Sequence, residues 1–171
     1  AEPTMQDGGG AWTDIGTAAA GSGIIEVSGL STGTYIAIRV FIKSLESDTD
    51  DSGVRCTINS ITTSTYHSSI NGVNQGGLEK DGGVTGGAYA PIAELAATGA
   101  SLGNATEEAL GGCITIYNGA TTNRMTATFE VGYVTSDKDY IGNTGHISVD
   151  LGSGTSFTGI KLYMESGSID N

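Results

Sequence analysis

Apolar residues alternate with polar ones in short runs along this chain. From Ile160 to Met164 the apolar residues are separated by Lys161 and Tyr163, as a strand with one buried face requires. The runs are divided by turn residues, and the 171-residue chain contains 28 Gly but only 2 Pro. This pattern predicts an all-β fold, an antiparallel β-sandwich. A chain of this length can bury roughly two-thirds of its unfolded surface as one domain.

Several runs carry this strand pattern. They are residues 11–17, 23–28, 34–43, 53–60, 112–118, 124–135, 144–151 and 158–164. The stretch 35–42 is denser in apolar residues than alternation allows, which predicts a central strand covered on both faces or bent over a sheet edge. Residues 1–10 are polar and include three consecutive glycines, so we expect a flexible N-terminal arm. A single β-sandwich domain should follow over 11–171, with Trp12 buried near its first strand.

The middle of the chain has a weaker pattern. Between Ile61 and Thr98 the alternation is lost, and glycine pairs stand at 76–77, 82–83 and 86–87. We interpret this part as a long glycine-rich loop excursion, with a short strand near 92–95. Further on, Glu107 follows Asn104 by three residues, as in a capping box, so at most one short helical turn is expected there.

The charge of the chain is strongly acidic. Lys and Arg number 7 against 19 Asp and Glu, which gives a net charge of −12. Such a surface repels phosphate backbones, so we expect no nucleic-acid partner. The longest apolar run is interrupted by Arg39, and the sequence does not open with a basic region followed by an apolar one. We therefore expect no membrane-spanning segment and no signal peptide.

The acidic stretch 46–53 contains Asp48, Asp50 and Asp51, whose carboxylates could supply oxygen ligands to calcium. The stretch lacks the Glu that closes an EF-hand loop. Clustered Asp, Ser and Gly are also typical of an exposed connection between strands. A turn is therefore the favoured interpretation, with calcium as the alternative and no other cofactor expected.

Residues suited to catalysis do not form a recognisable set. No GxSxG elbow accompanies His67 and His146, and no spacing singles out a glycosidase-like pair of carboxylates. Cys56 and Cys113 each lie inside a strand-like run, which favours two buried thiols over a disulfide. We expect no catalytic residue and no enzymatic activity.

Tyrosines on a β surface can form stacking platforms for sugars. The candidates are Tyr66, Tyr89, Tyr117, Tyr133, Tyr140 and Tyr163. Tyr66 and Tyr89 are the predicted glycan contacts. Half-exposed tyrosines are also common on strands that bind nothing, so glycan binding is the secondary interpretation.

Three stretches of the chain carry a family resemblance. They are AWTDIGTAAAGSGIIEVSGLSTGTYIAIRV at 11–40, GGCITIYNGATTNRMTATFEVGYVTSD at 111–137 and SFTGIKLYMESGSIDN at 156–171. Together they resemble the small jelly-roll modules of virion proteins from marine and cyanobacterial tailed phages, including head-surface proteins and tail-fibre tips. In that family a Trp-Thr-x-Ile-Gly opening leads to a Gly-Leu turn and a Tyr-initiated strand, and the module finishes with Gly-Ile, Tyr or Phe, and Ser-Gly-x-Ile. The matching residues here are Trp12, Ile15, Gly16, Gly29, Leu30, Tyr35, Gly159, Ile160, Tyr163, Ser166, Gly167 and Ile169.

The resemblance implies a jelly-roll-like fold and a virion context, and it transfers no active site. Members of this family usually continue after Ser-Gly-x-Ile into a final strand of Gly-Thr-apolar-x-Leu-Tyr-Gly type, which does not follow here. Either the sequence is shortened or another segment fills that place. A missing strand leaves unpaired N–H and C=O groups. We therefore expect the strand at 158–164 to lie at or beside a sheet edge, with Ile160, Leu162 and Met164 as an assembly edge.

The function implied by the resemblance is that of a non-enzymatic structural protein on the surface of a tailed-phage virion. A compact chain without a fibre shaft favours a knob-like capsid decoration protein. The expected partners are the major capsid protein or another virion protein, together with self-association. The alternative is a receptor- or glycan-binding module of a tail fibre or tail tip, whose partner would be a host-surface glycan.

Overall fold

The computed structural model describes residues 23–29, 37–63, 65–74, 79–95, 100–105, 107–117, 124–152 and 157–170. Within these ranges the secondary structure is all-β, and no helix occurs. No helix long and apolar enough to cross a membrane is therefore found in the described ranges. The predicted arm at 1–10, the strand at 11–17 and the burial of Trp12 fall outside the described residues.

The described strands form two antiparallel sheets. In chain order they are β1 (Ile24–Val27), β2 (Ala37–Ser47), β3 (Val54–Ile58), β4 (Tyr66–Asn74), β5 (Glu79–Gly87), β6 (Ala90–Leu95), β7 (Ala100–Ser101), β8 (Leu110–Tyr117), β9 (Arg124–Val134), β10 (Tyr140–Asp150), β11 (Ile160–Met164) and β12 (Ile169–Asp170). A five-stranded sheet has the order β1-β11-β3-β6-β7, and a seven-stranded sheet has the order β12-β2-β8-β9-β10-β4-β5. The predicted all-β class is confirmed, and the two sheets are compatible with a β-sandwich.

Side chains from both sheets meet in one hydrophobic core. Along β9 and β10, buried positions alternate with exposed or half-buried ones. The core includes Val54, Cys56, Ile58, Ile160, Leu162 and Met164 from the five-stranded sheet, and Ile114, Ile116, Phe129, Val131, Ile147 and Val149 from the seven-stranded sheet. The apolar alternation in the sequence therefore corresponds to the inward faces of two layers.

The predicted loop excursion over 61–98 is wrong, because this part of the chain forms β4, β5 and β6. β4 and β5 pair as neighbours in the seven-stranded sheet. The inward positions of β4 include Ser68 and Gly72, so its apolar alternation is broken in the sequence. A Cβ at Gly83 in β5 would lie 2.2 Å from the Ser68 carbonyl oxygen, which explains a glycine inside the strand. The short strand predicted near 92–95 is confirmed as β6.

The turn near Asn104 is hydrogen-bonded without being helical. The Glu108 N–H donates to the Ala105 carbonyl at 2.7 Å, and the Glu108 carboxylate accepts the Ala105 N–H at 2.9 Å. The predicted capping pair of Asn104 with Glu107 is therefore wrong, because Glu108 makes the return bond. Glu107 instead accepts a hydrogen bond from Lys138 Nζ at 2.7 Å.

After β11 the chain passes from one sheet to the other. β11 pairs with β1 on one side and with β3 on the other, so both of its hydrogen-bonding edges are filled. Its residues Ile160, Leu162 and Met164 are buried in the core. They do not form the predicted assembly edge, although β11 does lie next to the terminal described strand of its sheet. The next strand, β12, pairs with Ser47 and Glu46 at the end of β2.

Two segments that change sheets are bonded to each other, and we call this set of contacts the sheet corner. One segment connects β2 to β3, and the other connects β11 to β12. The Ser168 N–H donates to the Asp48 carboxylate at 2.7 Å, and the Asp48 N–H donates to the Ser168 carbonyl at 3.1 Å. Ser52 Oγ donates to the Ser166 carbonyl at 2.6 Å and accepts the Ser166 N–H at 3.1 Å.

Both cysteines are free thiols. Cys56 lies in the core, and burial raises the pKa of its thiol to about 12. Cys113 is half-buried on the outward side of β8, where it pairs with Phe41 and Glu130 on the neighbouring strands. The prediction of unpaired thiols is confirmed, whereas burial in the core holds for Cys56 alone.

Truncation of Leu162 tests the core. This side chain is 2% exposed, so Leu162→Ala leaves a cavity between the sheets. We expect the free energy of unfolding, measured by urea denaturation, to fall by about 2–5 kcal/mol. Lys161→Ala on the opposite face of β11 is the control, with an expected change of about 0.5 kcal/mol or less. Equal losses in the two variants would contradict the assignment of the buried face.

Candidate functional site

The outer face of the seven-stranded sheet carries the large apolar side chains that are exposed in the described ranges. Phe41 is 74% exposed, Tyr140 66%, Val73 48% and Tyr117 44%. They come from β2, β10, β4 and β8, and they stand at positions that alternate with core residues. Apolar side chains gathered on one face are typical of a contact surface.

Two rows of side chains cross this face in register, and we call them together the polar band. The first row consists, in spatial order, of Arg39, Thr115, Thr128, His146 and Ser69. The second row consists of Tyr117, Thr126, Ser148, His67 and Thr85. Neighbouring strands are about 4.8 Å apart, so each row is a line of closely spaced polar groups that crosses the strands.

Hydrogen bonds hold parts of the polar band in place. Arg39 Nε donates to Thr115 Oγ1 at 3.2 Å, and the hydroxyls of Tyr117 and Thr128 lie 3.3 Å apart. The Arg39 guanidinium also lies 5.9 Å from the centre of the Phe41 ring. Arg39, Thr115, Tyr117 and Thr128 border a shallow groove of about 260 Å³, which Glu130 also lines. A ligand in the groove would meet groups that are already oriented, which lowers the entropy cost of binding.

Next to the polar band, three glycines lie side by side on β8, β9 and β10, and we call them the glycine trench. They are Gly111, Gly132 and Gly142, and Gly142 also pairs with Val73 on β4. A Cβ at Gly142 would have no atom within 4 Å, and at Gly132 the nearest would be 3.8 Å away. Packing therefore does not require these glycines, although a glycine inside a strand is destabilising by about 0.5–1 kcal/mol relative to Ala. The trench and Phe41 border a groove of about 600 Å³.

The polar band differs in charge from the chain as a whole. The chain has 19 acidic and 7 basic residues, whereas the band contains Arg39, His67 and His146 and no Asp or Glu. Carboxylates stand in the flanking rows. Glu130 lies one row toward the glycine trench, and Asp150 lies on the other side, where it pairs with Arg124.

Tyr66 is not available as a glycan contact, because it is fully buried. Its hydroxyl accepts the Ile58 N–H at 2.7 Å and donates to the Ile61 carbonyl at 3.1 Å. Burial raises the pKa of the Tyr66 hydroxyl above its ordinary value. The side chain ties β4 to the end of β3, and the predicted glycan contact at this residue is wrong.

Tyr89 lies beside β3, away from the polar band. The Arg55 guanidinium stands 4.0 Å from the centre of the Tyr89 ring, close enough for a cation–π contact. Arg55 also forms an ion pair with Glu165 and lies opposite Tyr163 on β11. One face of the half-buried Tyr89 ring is therefore already covered, and the structure does not bring it together with Tyr66.

The aspartates of the predicted calcium site turn toward different parts of the chain. In the sheet corner, Asp48 accepts the Ser168 N–H. Asp50 accepts the Asn104 N–H at 3.1 Å, and Asp51 accepts a hydrogen bond from the Ser136 hydroxyl at 2.8 Å. Over the described ranges, no group of three or more His, Cys, Asp or Glu is arranged to hold a metal ion. The structure gives each carboxylate a separate partner, and calcium binding stays a prediction for experiment.

The outer face could not be recognised from the sequence. The run at 35–42, which contains Phe41, predicts a strand covered on both faces or bent over a sheet edge, and no sequence motif connects His67 with His146. The outward positions of β9, such as Thr126 and Thr128, could be read from its alternation. No local signal shows which residues of β8 and β10 lie beside them.

Comparisons with protein-family models, with curated proteins and with solved structures find no match to this chain. The resemblance to phage virion modules therefore stays a prediction that depends on the three stretches quoted above.

Calcium titration tests the acidic turn. If Asp48, Asp50 and Asp51 serve only as hydrogen-bond acceptors, millimolar calcium should leave the melting temperature nearly unchanged. A ligand that binds the folded state preferentially raises stability with its concentration. An upward shift of several degrees that a chelator reverses would contradict the expected result.

Asp48 tests the sheet corner. The Ser168 N–H, and after it the Thr49 hydroxyl, hold the pKa of the Asp48 carboxyl below its ordinary value. The carboxylate therefore stabilises the fold above the ordinary Asp pKa of about 3.9, and this contribution is lost as the pH falls through the lower folded-state pKa. We expect Asp48→Asn to lower the urea midpoint at neutral pH, with the difference shrinking in acid. Asp137→Asn, at an exposed turn position, is the control. A difference that is constant with pH would contradict this role.

Proposed function

We propose that this chain is a non-enzymatic structural protein on the surface of a tailed-phage virion, where it serves as a knob-like capsid decoration protein. The resemblance of the three sequence stretches supports the virion context. The two antiparallel sheets support a sandwich, and the jelly-roll topology is part of the proposal. The acidic charge of −12 supports a partner other than nucleic acid.

The observation that carries the proposal is the exposed apolar surface around the glycine trench. Phe41 and Tyr140 are the most exposed large apolar side chains of the described ranges, and Val73 lies beside Gly142. A decoration protein needs such a face, because burial of apolar surface supplies most of the free energy of protein association. The bare backbone of the trench gives room for side chains of the partner, which in this proposal is the major capsid protein or another virion protein.

A second candidate function is glycan recognition, as in a receptor-binding module of a tail fibre or tail tip. The observation that favours it is the polar band, in which the Tyr117 ring is surrounded by hydroxyl and imidazole groups. Aromatic rings offer a flat apolar surface with a polar handle, which suits a sugar ring. The band and the glycine trench lie at different heights along the same strands, so the two functions predict different sensitive residues.

The variant Gly142→Thr separates folding from attachment. A side chain has room at Gly142 and threonine favours strands, so the variant should be at least as stable as the wild-type protein. It also fills the trench, so its affinity for particles that lack the protein should fall by about tenfold or more, as for a substitution at an interface hot spot. Co-sedimentation measures the affinity, and antibody labelling in the electron microscope locates the protein on intact virions.

The matched control is Glu26→Thr, at an exposed position of the five-stranded sheet. It should bind particles like the wild-type protein. Wild-type attachment by Gly142→Thr would show that the trench is not the docking surface. Failure to find the protein on virions would overturn the proposed location.

A further inference from the structure

The polar band is a region free of carboxylate side chains in an acidic protein. Its two rows contain Arg39, His67 and His146 among hydroxyl-bearing residues, while acidic residues outnumber basic ones by 19 to 7 in the chain. Glu130 stands in the row on one side of the band and lines the same groove as Arg39, and Asp150 stands opposite Arg124 in the row on the other side. An anionic ligand would therefore be repelled by much of the molecule and accepted here.

We infer that the polar band binds a carboxylated glycan, a polysaccharide whose sugars carry carboxylate groups. This inference rests on the second candidate function and names the substrate class of that site. Charge complementarity is the basis of recognition, with Arg39 as the positive group of the band.

The shape of the band suits a chain rather than a small compact molecule. Two adjoining grooves, of about 260 Å³ and about 350 Å³, share Tyr117, Thr128 and His146. Together they form an open path across β8, β9 and β10 toward β4 and β5. Small-molecule sites bury most of their ligand's surface, whereas an open path of this kind leaves a polymer accessible along its length.

The chemistry of the lining groups matches a sugar polymer. The Tyr117 ring gives an apolar platform, and its hydroxyl is fixed near Thr128. Hydroxyl side chains both donate and accept, so they suit sugar hydroxyls, and the imidazoles of His67 and His146 add N–H donors. The Arg39 side chain is exposed, and its Nε–H donates to Thr115.

A glycan fits these groups better than a nucleic acid does. A nucleic acid carries a charge at every phosphate, and binding it requires many basic side chains. The band offers one arginine and two histidines among neutral hydroxyls, in a chain of net charge −12. Carboxylates spaced along a mostly neutral sugar chain meet this arrangement with less repulsion from the rest of the surface.

A charge placed in the band tests the inference. Ser69 is exposed in the first row, next to His146, so it accepts a larger side chain without disturbing the core. Ser69→Glu adds a carboxylate, and Ser69→Gln adds a side chain of similar size without charge. The binding of oligogalacturonate and of its carboxyl-reduced, neutral counterpart is measured by calorimetry.

The wild-type protein should bind oligogalacturonate more tightly than the reduced sugar, and about 1 M salt, with a Debye length of about 3 Å, should remove this preference. Ser69→Glu should weaken the binding of oligogalacturonate roughly tenfold and leave the reduced sugar unaffected, whereas Ser69→Gln should leave both nearly unchanged. Tyr117→Ala should weaken both sugars. Tyr140→Ala, on the same face outside the band, should weaken neither.

Equal binding of the two sugars would overturn the inference and leave glycan recognition standing. If neither sugar binds, both the carboxylated-glycan inference and glycan recognition by the band are overturned. Decoration of particles is a separate function, and the co-sedimentation experiment tests it. Tighter binding of oligothymidylate than of oligogalacturonate would also overturn it, because the site would then recognise phosphates.

Discussion

The hydrogen bonds of the sheet corner hold together two places where the chain passes between the sheets. Asp48 and Ser52 belong to the segment that leaves the seven-stranded sheet, and Ser166 and Ser168 belong to the segment that returns to it. The two segments are bonded to each other. The same hydrogen bonds therefore help to hold β12 against β2 in one sheet and β11 beside β3 in the other. The strand β2 in turn contributes Arg39 to the polar band and Phe41 to the outer face, so the position of both depends on this corner.

Strands could be predicted from the sequence where apolar side chains fill every inward position. This is so for β9 and β11, whose buried positions alternate strictly. In β10 the inward positions include Asn143 and Gly145, and the sequence predicts this strand only from residue 144 onward. The hairpin of β4 and β5 was hidden because Ser68 and Gly72 occupy inward positions and glycines recur in β5. The dense apolar run at 35–42 predicts a strand covered on both faces or bent over a sheet edge. In the structure β2 leaves Phe41 in solvent, because local composition does not determine whether a second layer covers a strand.

The polar band could not be predicted because it is a product of long-range pairing. Arg39 and Thr115 are bonded across 76 positions of sequence, and Thr128 joins them only through the register of β8 on β9. A slip of one residue in any of these pairings would turn the hydroxyls of that strand into the core. The burial of the tyrosines could not be predicted from the sequence either. Tyr66 and Tyr117 both lie in strands, and only the fold determines that the first is buried and the second is exposed.

The different environments of the two thiols allow Cys113 to be labelled selectively with a fluorophore in the folded protein. Cys56 is sealed in the core, with its thiol pKa raised to about 12, so a thiol-reactive dye cannot reach it in the folded state. Cys113 borders two grooves of the outer face, the 260 Å³ groove beside the first row of the polar band and the 600 Å³ groove over the glycine trench. A fluorophore on Cys113 would therefore sense an occupant of either groove by its change in emission. Labelling of a second thiol would signal that the two sheets have separated.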